Sequence, residues 1–290
     1  MNIRRFTVIG GDLRSLKLAD LIKKDGKKVN IFGFNNTKEE LTVETAENLH
    51  KAIDENDVVI APLPCSNDDE TINAPFNAEK IYINDVFKIM NKNQFFIAGR
   101  ISSKIAHLAQ VYNVYSIDIL DREEMAVLNA IPTAEGAIQI AMEELPITLH
   151  DSNVLILGFG RVGKVLAKIL QGIGSNVYVE ARRYSDIAWI KSYSYKPVII
   201  GELANYLPQM DIIFNTVPAL ILNEDLLKKV NKDTLIIDLA SKPGGVDFEK
   251  ANLMNLKVKW ALSLPGKVAP VTAAKFIKDT IYNILDELGV

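Results

Sequence analysis

The chain has 290 residues, of which 48% are hydrophobic, and its formal net charge is −3. This composition allows two domains with their own cores and excludes a disordered protein or a nucleic-acid binder with a basic surface. The single cysteine, Cys65, excludes an intrachain disulfide and a cysteine-rich zinc site, so we expect no metal and a reducing cytoplasm. We also expect no membrane partner, because no apolar run approaches the roughly 20 residues of a membrane span.

Short β-rich segments alternate with helical segments along the first part of the chain. The strand-like segments are RFTVIGG, KVNIFGF, DVVIAPLP, KIYIN, QFFIAG and NVYSID. A helix is indicated by LRSLKLADLIKKDG, which Gly26 ends. The alternation predicts a doubly wound parallel sheet, which we assign to a flavodoxin-like N-terminal α/β domain over residues 1–128.

The stretch from Asp121 to Leu145 has a helical pattern that is interrupted by Pro132. Proline is tolerated best in the first turn of a helix, and Thr133 and Glu135 follow it closely. We therefore expect a second helix to restart at Pro132, and we interpret the stretch as a connector between two domains.

The alternation of strands and helices begins again at Asn153. The strand-like segments of this part are NVLILG, SNVYVEA, DIIFNTV, TLIIDLA and KVKWALS. They predict a Rossmann dinucleotide-binding domain over residues 129–269. The last segment, residues 270–290, forms an amphipathic pattern, and we expect this C-terminal helix to pack back on the first domain.

A glycine-rich turn follows the first strand of the second domain. The first glycine of such a turn permits a tight bend, the second lets a pyrophosphate approach the backbone, and the third lets helix and strand pack closely. The N-terminus of the following helix offers N–H groups to the phosphates. The residues that we assign to cofactor binding in this turn are Gly158, Phe159, Gly160, Arg161, Val162 and Gly163.

The end of the next strand indicates which cofactor binds. The acidic position of NAD-binding hydroxyacid dehydrogenases falls on Ala181, and Glu180 lies one residue earlier. Because adjacent strand residues face opposite sides, we expect Glu180 to point away from the ribose. Arg182, Arg183 and Ser185 follow, and a guanidinium group grips a 2′-phosphate. The pattern favours NADP(H) over NAD(H); the alternative is that Glu180 binds the ribose and the arginines are solvated.

Loops after two later strands complete the predicted cofactor site. They follow FNTV and LIIDLA, at strand ends where open α/β sheets bind ligands. The residues assigned there are Thr216, Val217, Pro218, Leu239 and Ala240.

The chain lacks the histidine that two-domain hydroxyacid dehydrogenases use late in the cofactor domain. Its three histidines, at positions 50, 107 and 150, all precede the glycine turn. The loops where a catalytic arginine and a histidine are expected carry Lys242 and Lys267 instead. Ordinary 2-hydroxyacid chemistry is therefore disfavoured, although both lysines follow strands, where ligands bind.

Several segments in matching order resemble the A-subunit family of dipicolinate synthase. They are VIGGDLR, LNAIPTAEGAIQIAMEE, LGFGRVGKVLA, FNTVPA, IDLASKPGGVDF and LPGKVAPVTAAKFI, and they are spread over nearly the whole chain. PTAEGAI and LPGKVAP are specific, whereas many families share the glycine turn. The resemblance implies a nicotinamide-dependent oxidoreductase. It also implies that such an enzyme, with a flavoprotein-like B subunit, converts dihydrodipicolinate to dipicolinate in the mother cell of a sporulating bacterium.

Oxidation of a dihydropyridine dicarboxylate removes a hydride and a proton, and the dianion calls for cationic groups. The candidates for substrate binding and catalysis are Lys267, Lys242, Glu135, Arg14, Arg100 and Ser102. Either Glu135 or a lysine would accept the proton. Two other functions stay open: an alanine-dehydrogenase-like or hydroxyacid oxidoreductase acting on another small carboxylate, and a non-catalytic cofactor-binding regulator. A homo-oligomer is compatible with all of these.

Overall fold

The computed structural model describes residues 3–290, which divide into two compact units. Unit 1 contains the described residues up to Leu128 together with Ala269–Val290, and unit 2 contains Asn129–Val268. Each unit contains a six-stranded sheet, and helices lie between successive strands except between the second and third strands of unit 1. The predicted α/β class with doubly wound sheets is therefore confirmed.

The strands of both units are short and alternate with helices. In unit 1 the strands are β1 (Arg5–Ile9), β2 (Lys28–Phe32), β3 (Glu44–Thr45), β4 (Val58–Ile60), β5 (Phe95–Ala98) and β6 (Tyr115–Asp118). In unit 2 they are β7 (Asn153–Leu157), β8 (Asn176–Ala181), β9 (Lys196–Ile199), β10 (Ile212–Asn215), β11 (Leu235–Asp238) and β12 (Lys257–Trp260).

Helices connect these strands and cover the sheets. The helices up to the start of unit 2 are α1 (Leu13–Lys24), α2 (Leu49–Asp54), α3 (Ile83–Ile89), α4 (Ser103–Val111) and α5 (Glu123–Glu144). Those that follow are α6 (Arg161–Ile173), α7 (Tyr184–Ser192), α8 (Leu203–Tyr206), α9 (Glu224–Leu227), α10 (Phe248–Leu253), α11 (Leu264–Val268) and α12 (Pro270–Glu287). Short 3-10 helices cover Ile119–Asp121, Ile200–Glu202 and Leu207–Gln209. Within residues 3–290, none of the helices combines the length and the apolar character that a membrane span requires.

The sheet of unit 1 has the strand order β3-β2-β1-β4-β5-β6, and all its pairs are parallel. Without the two-residue edge strand β3, this is the flavodoxin-like order. Buried side chains cover both faces, with Phe6 and Val8 on one face and Ile9 and Val59 on the other. Burial on both faces explains why the central strands β4 and β5, VVI and FFIA, are continuous apolar runs.

The sheet of unit 2 has the order β12-β11-β10-β7-β8-β9, and its pairs are also parallel. The order reverses between β7 and β10, because β7 pairs with β10 on one side and with β8 on the other. Open α/β sheets bind ligands beyond the carboxyl ends of the strands at such a reversal. The fold therefore directs a ligand to the loops that follow β7, β8 and β10.

Two sequence predictions about strands were wrong. KIYIN is not a strand, because Tyr82 forms only an isolated bridge with Thr71 and α3 begins at Ile83. Ile81 and Ile83 are both buried. A short apolar run indicates burial, but it does not distinguish a strand from the buried start of a helix. Strand β9 was not predicted, because it contains Pro197, which a sheet accommodates at its edge.

The predicted restart of the connector helix at Pro132 was also wrong. Helix α5 runs through this proline without a break. Proline removes one backbone donor, and the next residue, Thr133, donates its hydroxyl to the Asn129 carbonyl at 2.7 Å. Ala134 and Ala137 are fully buried in the unit 2 core. Packing of these small side chains supports the helix across the proline.

The C-terminal helix α12 packs in the core of unit 1. Ile277, Ile281 and Ile284 belong to the same buried cluster as Phe6 on β1. Helix α12 also lies against α1, and the Lys278 ammonium group donates to the Asp25 carboxylate at 2.6 Å. The last helix of the chain therefore completes the hydrophobic core that the first strands begin.

Replacing Ile281 tests this packing. Ile281 is fully buried, so we expect Ile281→Ala to reduce the free energy of unfolding by about 2–5 kcal/mol, as isoleucine truncation in a core does. The control is Val271→Ala on the exposed side of the same helix, where we expect a change within about 0.5 kcal/mol. Urea unfolding of both variants measures the difference, and equal losses would contradict the assigned packing.

Candidate cofactor and active site

The structure of the turn after β7 explains why each of the three positions of its glycine pattern carries glycine, the residue without a side chain. Gly158 has φ +93°, and its N–H donates to the Glu180 carbonyl at 3.1 Å. A Cβ atom on Gly163 would lie 2.2 Å from the Gly158 carbonyl oxygen, so only glycine lets α6 approach the turn this closely. A Cβ atom on Gly160 would have no atom within 4 Å, so the space in front of it is open.

A cavity of about 860 Å³ opens at this turn, beyond the ends of β7, β8 and β10. The residues assigned from the sequence that line it are Gly158, Phe159, Gly160, Ala181, Arg182, Arg183, Thr216, Val217 and Pro218. The assigned residues that do not line it are Arg161, Val162, Gly163, Ser185, Leu239 and Ala240. The lining residues that were not assigned are Glu180, Asp186, Ile200, Ala219, Leu220, Ile221, Asn223 and Leu226.

The donors at this cavity suit a dinucleotide. Helix α6 has Gly160 at its N-cap and no side-chain cap, so the N–H groups of its first turn are not occupied by a capping side chain. Such an N-terminus attracts phosphate through its N–H groups and its dipole. Together with the open space at Gly160, it forms a cradle in which a pyrophosphate fits against the backbone.

The loop that closes the other side of the cavity is fixed by two buried side chains that sequence reasoning missed. Asn215 ends β10 and Asp238 ends β11, and both are fully buried. Asn215 bonds to both the N–H and the carbonyl of Val217, and donates to Asp238 at 2.7 Å. The signal in the sequence is a polar residue directly after an apolar strand, in IIFN and LIID.

Glu180 and Ala181, the last two residues of β8, both border the cavity. The cavity lies beyond the end of this strand and so reaches residues from both of its faces, whereas strand alternation predicts that the Glu180 side chain points away from the ribose. Glu180 is only 2% exposed. Burial raises the pKa of its carboxyl group, whereas the Gly158 N–H and the Arg182 guanidinium act in the opposite direction.

The two arginines after β8 lie at the rim of the cavity. Arg183 is 78% exposed at its side chain and forms an ion pair with Asp186 at 2.8 Å. Arg182 is exposed and forms no salt bridge within residues 3–290. Helix α7 begins directly after them and has no side-chain cap. Two guanidinium groups and a helix N-terminus therefore meet at this rim.

The backbone of the loop that carries Lys242 is fixed by hydrogen bonds to Asp238 and Trp260. Asp238 accepts hydrogen bonds from the N–H groups of Ala240 at 2.9 Å and Gly245 at 2.8 Å, on either side of the lysine. The Trp260 indole N–H donates to the Ala240 carbonyl at 2.9 Å. Lys242 itself is exposed and forms no salt bridge in the described part of the chain. Its backbone is therefore fixed while its ammonium group remains available.

Lys267 lies in the short helix α11, whereas the sequence predicted a turn. The reason is packing: Leu264 is buried, and the Cβ position of Gly136 on α5 lies 3.1 Å from Leu264 and Val268. The glycine thus lets α11 settle against α5. Glu135, next to that glycine, is exposed, as is Lys267.

Two of the predicted substrate-binding residues in unit 1 already form hydrogen bonds or ion pairs with other residues of the protein. Arg14 is buried, pairs with Asp12 at 2.8 Å and donates to the Leu63 carbonyl at 2.6 Å. Ser102 caps α4 by accepting from the Ile105 N–H. Arg14 and Ser102 therefore have structural roles at helix starts.

Arg100 differs from these two residues. It has φ +59°, a conformation uncommon for a residue with a side chain. The Asp118 carboxylate holds this backbone by accepting from the N–H groups of Arg100 at 3.0 Å and Ile101 at 2.6 Å. The Arg100 side chain is exposed and forms no salt bridge among the residues that the structure describes.

Thiol chemistry finds no support in the structure. Cys65 is buried, and burial raises the pKa of its thiol to about 12, so the thiol stays protonated at neutral pH. Within residues 3–290, no group of three or more His, Cys, Asp or Glu side chains is placed to hold a metal ion.

The comparisons with known proteins cover both units. Residues 5–120 match the N-terminal domain of the dipicolinate synthase A subunit, while residues 131–249 match the NAD binding domain of D-isomer specific 2-hydroxyacid dehydrogenases. The dipicolinate synthase A subunit from Bacillus subtilis (strain 168) is 29% identical over 98% of this chain and 96% of its own length.

Solved structures give the same result. The crystal structure of the dipicolinate synthase A subunit from Bacillus halodurans is 29% identical, with a TM-score of 0.88 over 97% of each chain. That of the Bacillus subtilis protein is also 29% identical with a TM-score of 0.88, over 100% of this chain and 98% of its own. The resemblance predicted from the motifs is confirmed, and so is the class of NAD(P)-dependent oxidoreductase.

Gly163→Ala tests the close approach of α6 to the turn. The new Cβ atom would collide with the backbone of Gly158, so we expect the turn to shift and affinity for nicotinamide dinucleotides to fall at least about tenfold, or 1.4 kcal/mol. The control is Gly172→Ala on the same helix, where the space is open and affinity should not change. Calorimetric titration measures both, and unchanged binding in Gly163→Ala would contradict the role of the turn.

Proposed function

We propose that this chain, a member of the A-subunit family of dipicolinate synthase, oxidises dihydrodipicolinate to dipicolinate (pyridine-2,6-dicarboxylate) with NADP as the hydride acceptor. It acts together with a flavoprotein-like B subunit in the mother cell of a sporulating bacterium. The observation that carries the proposal is the cavity at the glycine turn, which has two arginines at its rim. The substrate is supported by the whole-length similarity to proteins named as the dipicolinate synthase A subunit.

The residues of this chain would hold the cofactor by its phosphates. The first turn of α6 and the open space at Gly160 receive the pyrophosphate, and Thr216 to Pro218 border the same cavity. When bound, the cofactor supplies a nicotinamide ring that accepts a hydride. The protein contributes orientation and exclusion of water, because the aromaticity of the product provides the driving force.

The rim of the cavity favours NADP over NAD. A 2′-phosphate needs cationic groups and N–H donors, and Arg182, Arg183 and the uncapped start of α7 provide them. Ser185, in the first turn of α7, is exposed but does not line the cavity. Asp186 opposes this preference, since it lines the same cavity and already neutralises Arg183. Arg182 is therefore the residue that we expect to contribute most.

Cofactor titrations test this preference. We expect NADP to bind at least about tenfold more tightly than NAD, because an arginine–phosphate contact contributes about 1.5–3 kcal/mol. Arg182→Ala should weaken NADP binding by that amount and leave NAD binding nearly unchanged. Lys191→Ala, which removes a charge from the last turn of α7, is the control and should alter neither. Equal affinities, or tighter binding of NAD, would rule out the assignment.

The carboxylates of the substrate require free cations on the protein. Lys242, Lys267 and Arg100 are exposed and form no salt bridge within residues 3–290. Lys242 and Lys267 also follow the carboxyl ends of β11 and β12 in the cofactor-binding unit. We therefore assign the dicarboxylate to the two lysines first. Glu135 accepts the proton that is lost together with the hydride, or one lysine accepts it as a neutral amine while the other binds a carboxylate.

Turnover of dihydrodipicolinate in the presence of the B subunit tests the lysines. We expect Lys242→Ala or Lys267→Ala to lower the rate at saturating NADP by one to two orders of magnitude, since a lost charge contact costs about 1.5–3 kcal/mol. Cofactor affinity should hardly change. Lys232→Ala, in an exposed loop, is the control. Wild-type rates in both variants would show that the lysines are solvated charges, and no turnover by the wild type with or without the B subunit would favour a non-catalytic regulator.

A further inference from the structure

The side chain of Glu180 is a buried acid at the edge of an anion site. It is 2% exposed, it lines the cavity at the glycine turn, and its Oε1 atom has no hydrogen-bond partner among the described residues. A buried carboxylate needs hydrogen bonds or a paired cation, and one with an oxygen left unpaired favours its neutral form. The burial-raised pKa of this group agrees with that geometry.

We propose that Glu180 sets the preference of the site for the cofactor's 2′ group through the proton on its carboxyl group. When Glu180 is neutral, a 2′-phosphate can bind beside Arg182 and Arg183 without repulsion. When Glu180 is a carboxylate, it repels the phosphate and favours a 2′-hydroxyl, which donates a hydrogen bond to the carboxylate. This inference rests on the proposed NADP site. It adds that the ratio of NADP to NAD affinity depends on the protonation of one buried residue.

Few charges other than the arginines surround Glu180. Its neighbours in register on the adjacent strands are Leu157 on β7 and Val198 on β9, neither of which titrates. The lining segment Thr216–Asn223 contains no titratable side chain. Besides Glu180, the titratable groups on β8, on α7 and on the edge strand β9 are Tyr178, Tyr184, Asp186, Lys191 and Lys196, and Arg182 and Arg183 lie between β8 and α7. The Lys196 ammonium group donates to the Tyr178 hydroxyl at 3.2 Å.

Of these groups, Arg182 is the cation with a direct effect on Glu180. Asp186 is paired with Arg183 at 2.8 Å, so that pair adds little net charge. Arg182 forms no salt bridge within residues 3–290 and acts on the carboxyl group against the effect of burial. A bound 2′-phosphate would pair with Arg182, so that Arg182 would no longer stabilise the carboxylate form of Glu180. Binding of the phosphate would therefore favour the protonated form of Glu180. Phosphate binding and protonation therefore support each other.

The direction of the pH effect follows from this coupling. Lower pH keeps Glu180 neutral and favours NADP, and higher pH ionises it and favours NAD. The 2′-phosphate itself acts in the opposite direction, because it gains its second charge near about pH 6 and then binds arginine more tightly. The two effects are separable, since replacing Glu180 removes one and leaves the other.

The experiment measures the dissociation constants of NADP and NAD by calorimetry from about pH 4 to about pH 8, a range that includes the ordinary glutamate midpoint and the second ionisation of the phosphate. We compare the wild type with Glu180→Gln, which keeps the shape of the side chain without its charge. In the wild type, the affinity ratio of NADP to NAD should fall by about tenfold or more with rising pH relative to the ratio in Glu180→Gln. Glu249→Gln, at an exposed position of the same unit, should follow the wild type.

Identical pH profiles of the ratio in the wild type and Glu180→Gln would overturn the role of Glu180. Tighter binding of NAD by both proteins at every pH would instead contradict the NADP site, while the difference between their profiles would still decide the role of Glu180. A second measurement does not depend on the folding of the variant. NMR titration of 13C-labelled glutamate carboxyl groups in the wild type should place Glu180 above the ordinary glutamate midpoint, and a midpoint at or below it would refute the inference.

Discussion

A hydrogen bond between two fully buried side chains holds the carboxyl edge of the unit 2 sheet together. Asn215 donates to Asp238 at 2.7 Å, and the two residues end neighbouring strands. A buried carboxylate is tolerated only when it has enough donors, and Asp238 obtains two more from the backbone of its following loop. Asn215 uses its remaining polar atoms on Val217. One network thus fixes the loop that lines the cofactor cavity and the loop that carries Lys242.

The glycine turn imposes a second constraint, which determines the surroundings of Glu180. Because Gly163 has no side chain, α6 lies close enough to β7 for the turn to bend back at Gly158. The Gly158 N–H then bonds to the main chain of Glu180 on β8. Glu180, near the end of the interior strand β8, is thereby enclosed by the glycine turn and by the neighbouring strands. The close packing that makes room for a pyrophosphate also removes water from a carboxyl group.

The sequence predicted the features that depend on local pattern and missed those that depend on distant contacts. Buried strands such as β7 are apolar runs followed by glycine, so the Rossmann turn could be recognised without a structure. The continuity of α5 through Pro132 depends on packing of alanines against a core formed by other segments. That Glu180 and Ala181 both border the cavity depends on where the cavity lies, which strand alternation does not specify. Lys267 lies in helix α11 and not in the predicted turn, and this helix packs against Gly136, which is far away in the chain.

That last contact joins two of the segments that carry the resemblance to the dipicolinate synthase A subunit. PTAEGAI contains Gly136, LPGKVAP forms α11, and the Cβ position of the glycine lies 3.1 Å from Leu264 and Val268. A Cβ atom at position 136 would press on both side chains, which would have to move by a few tenths of an ångström, so the two segments are packed tightly against each other. Lys242 is supported in a different way, by the backbone hydrogen bonds to Asp238. Both lysines are thus exposed charges on restrained supports. The proposed dicarboxylate site favours this arrangement, because less loop entropy is lost when a ligand binds to supports that are already ordered.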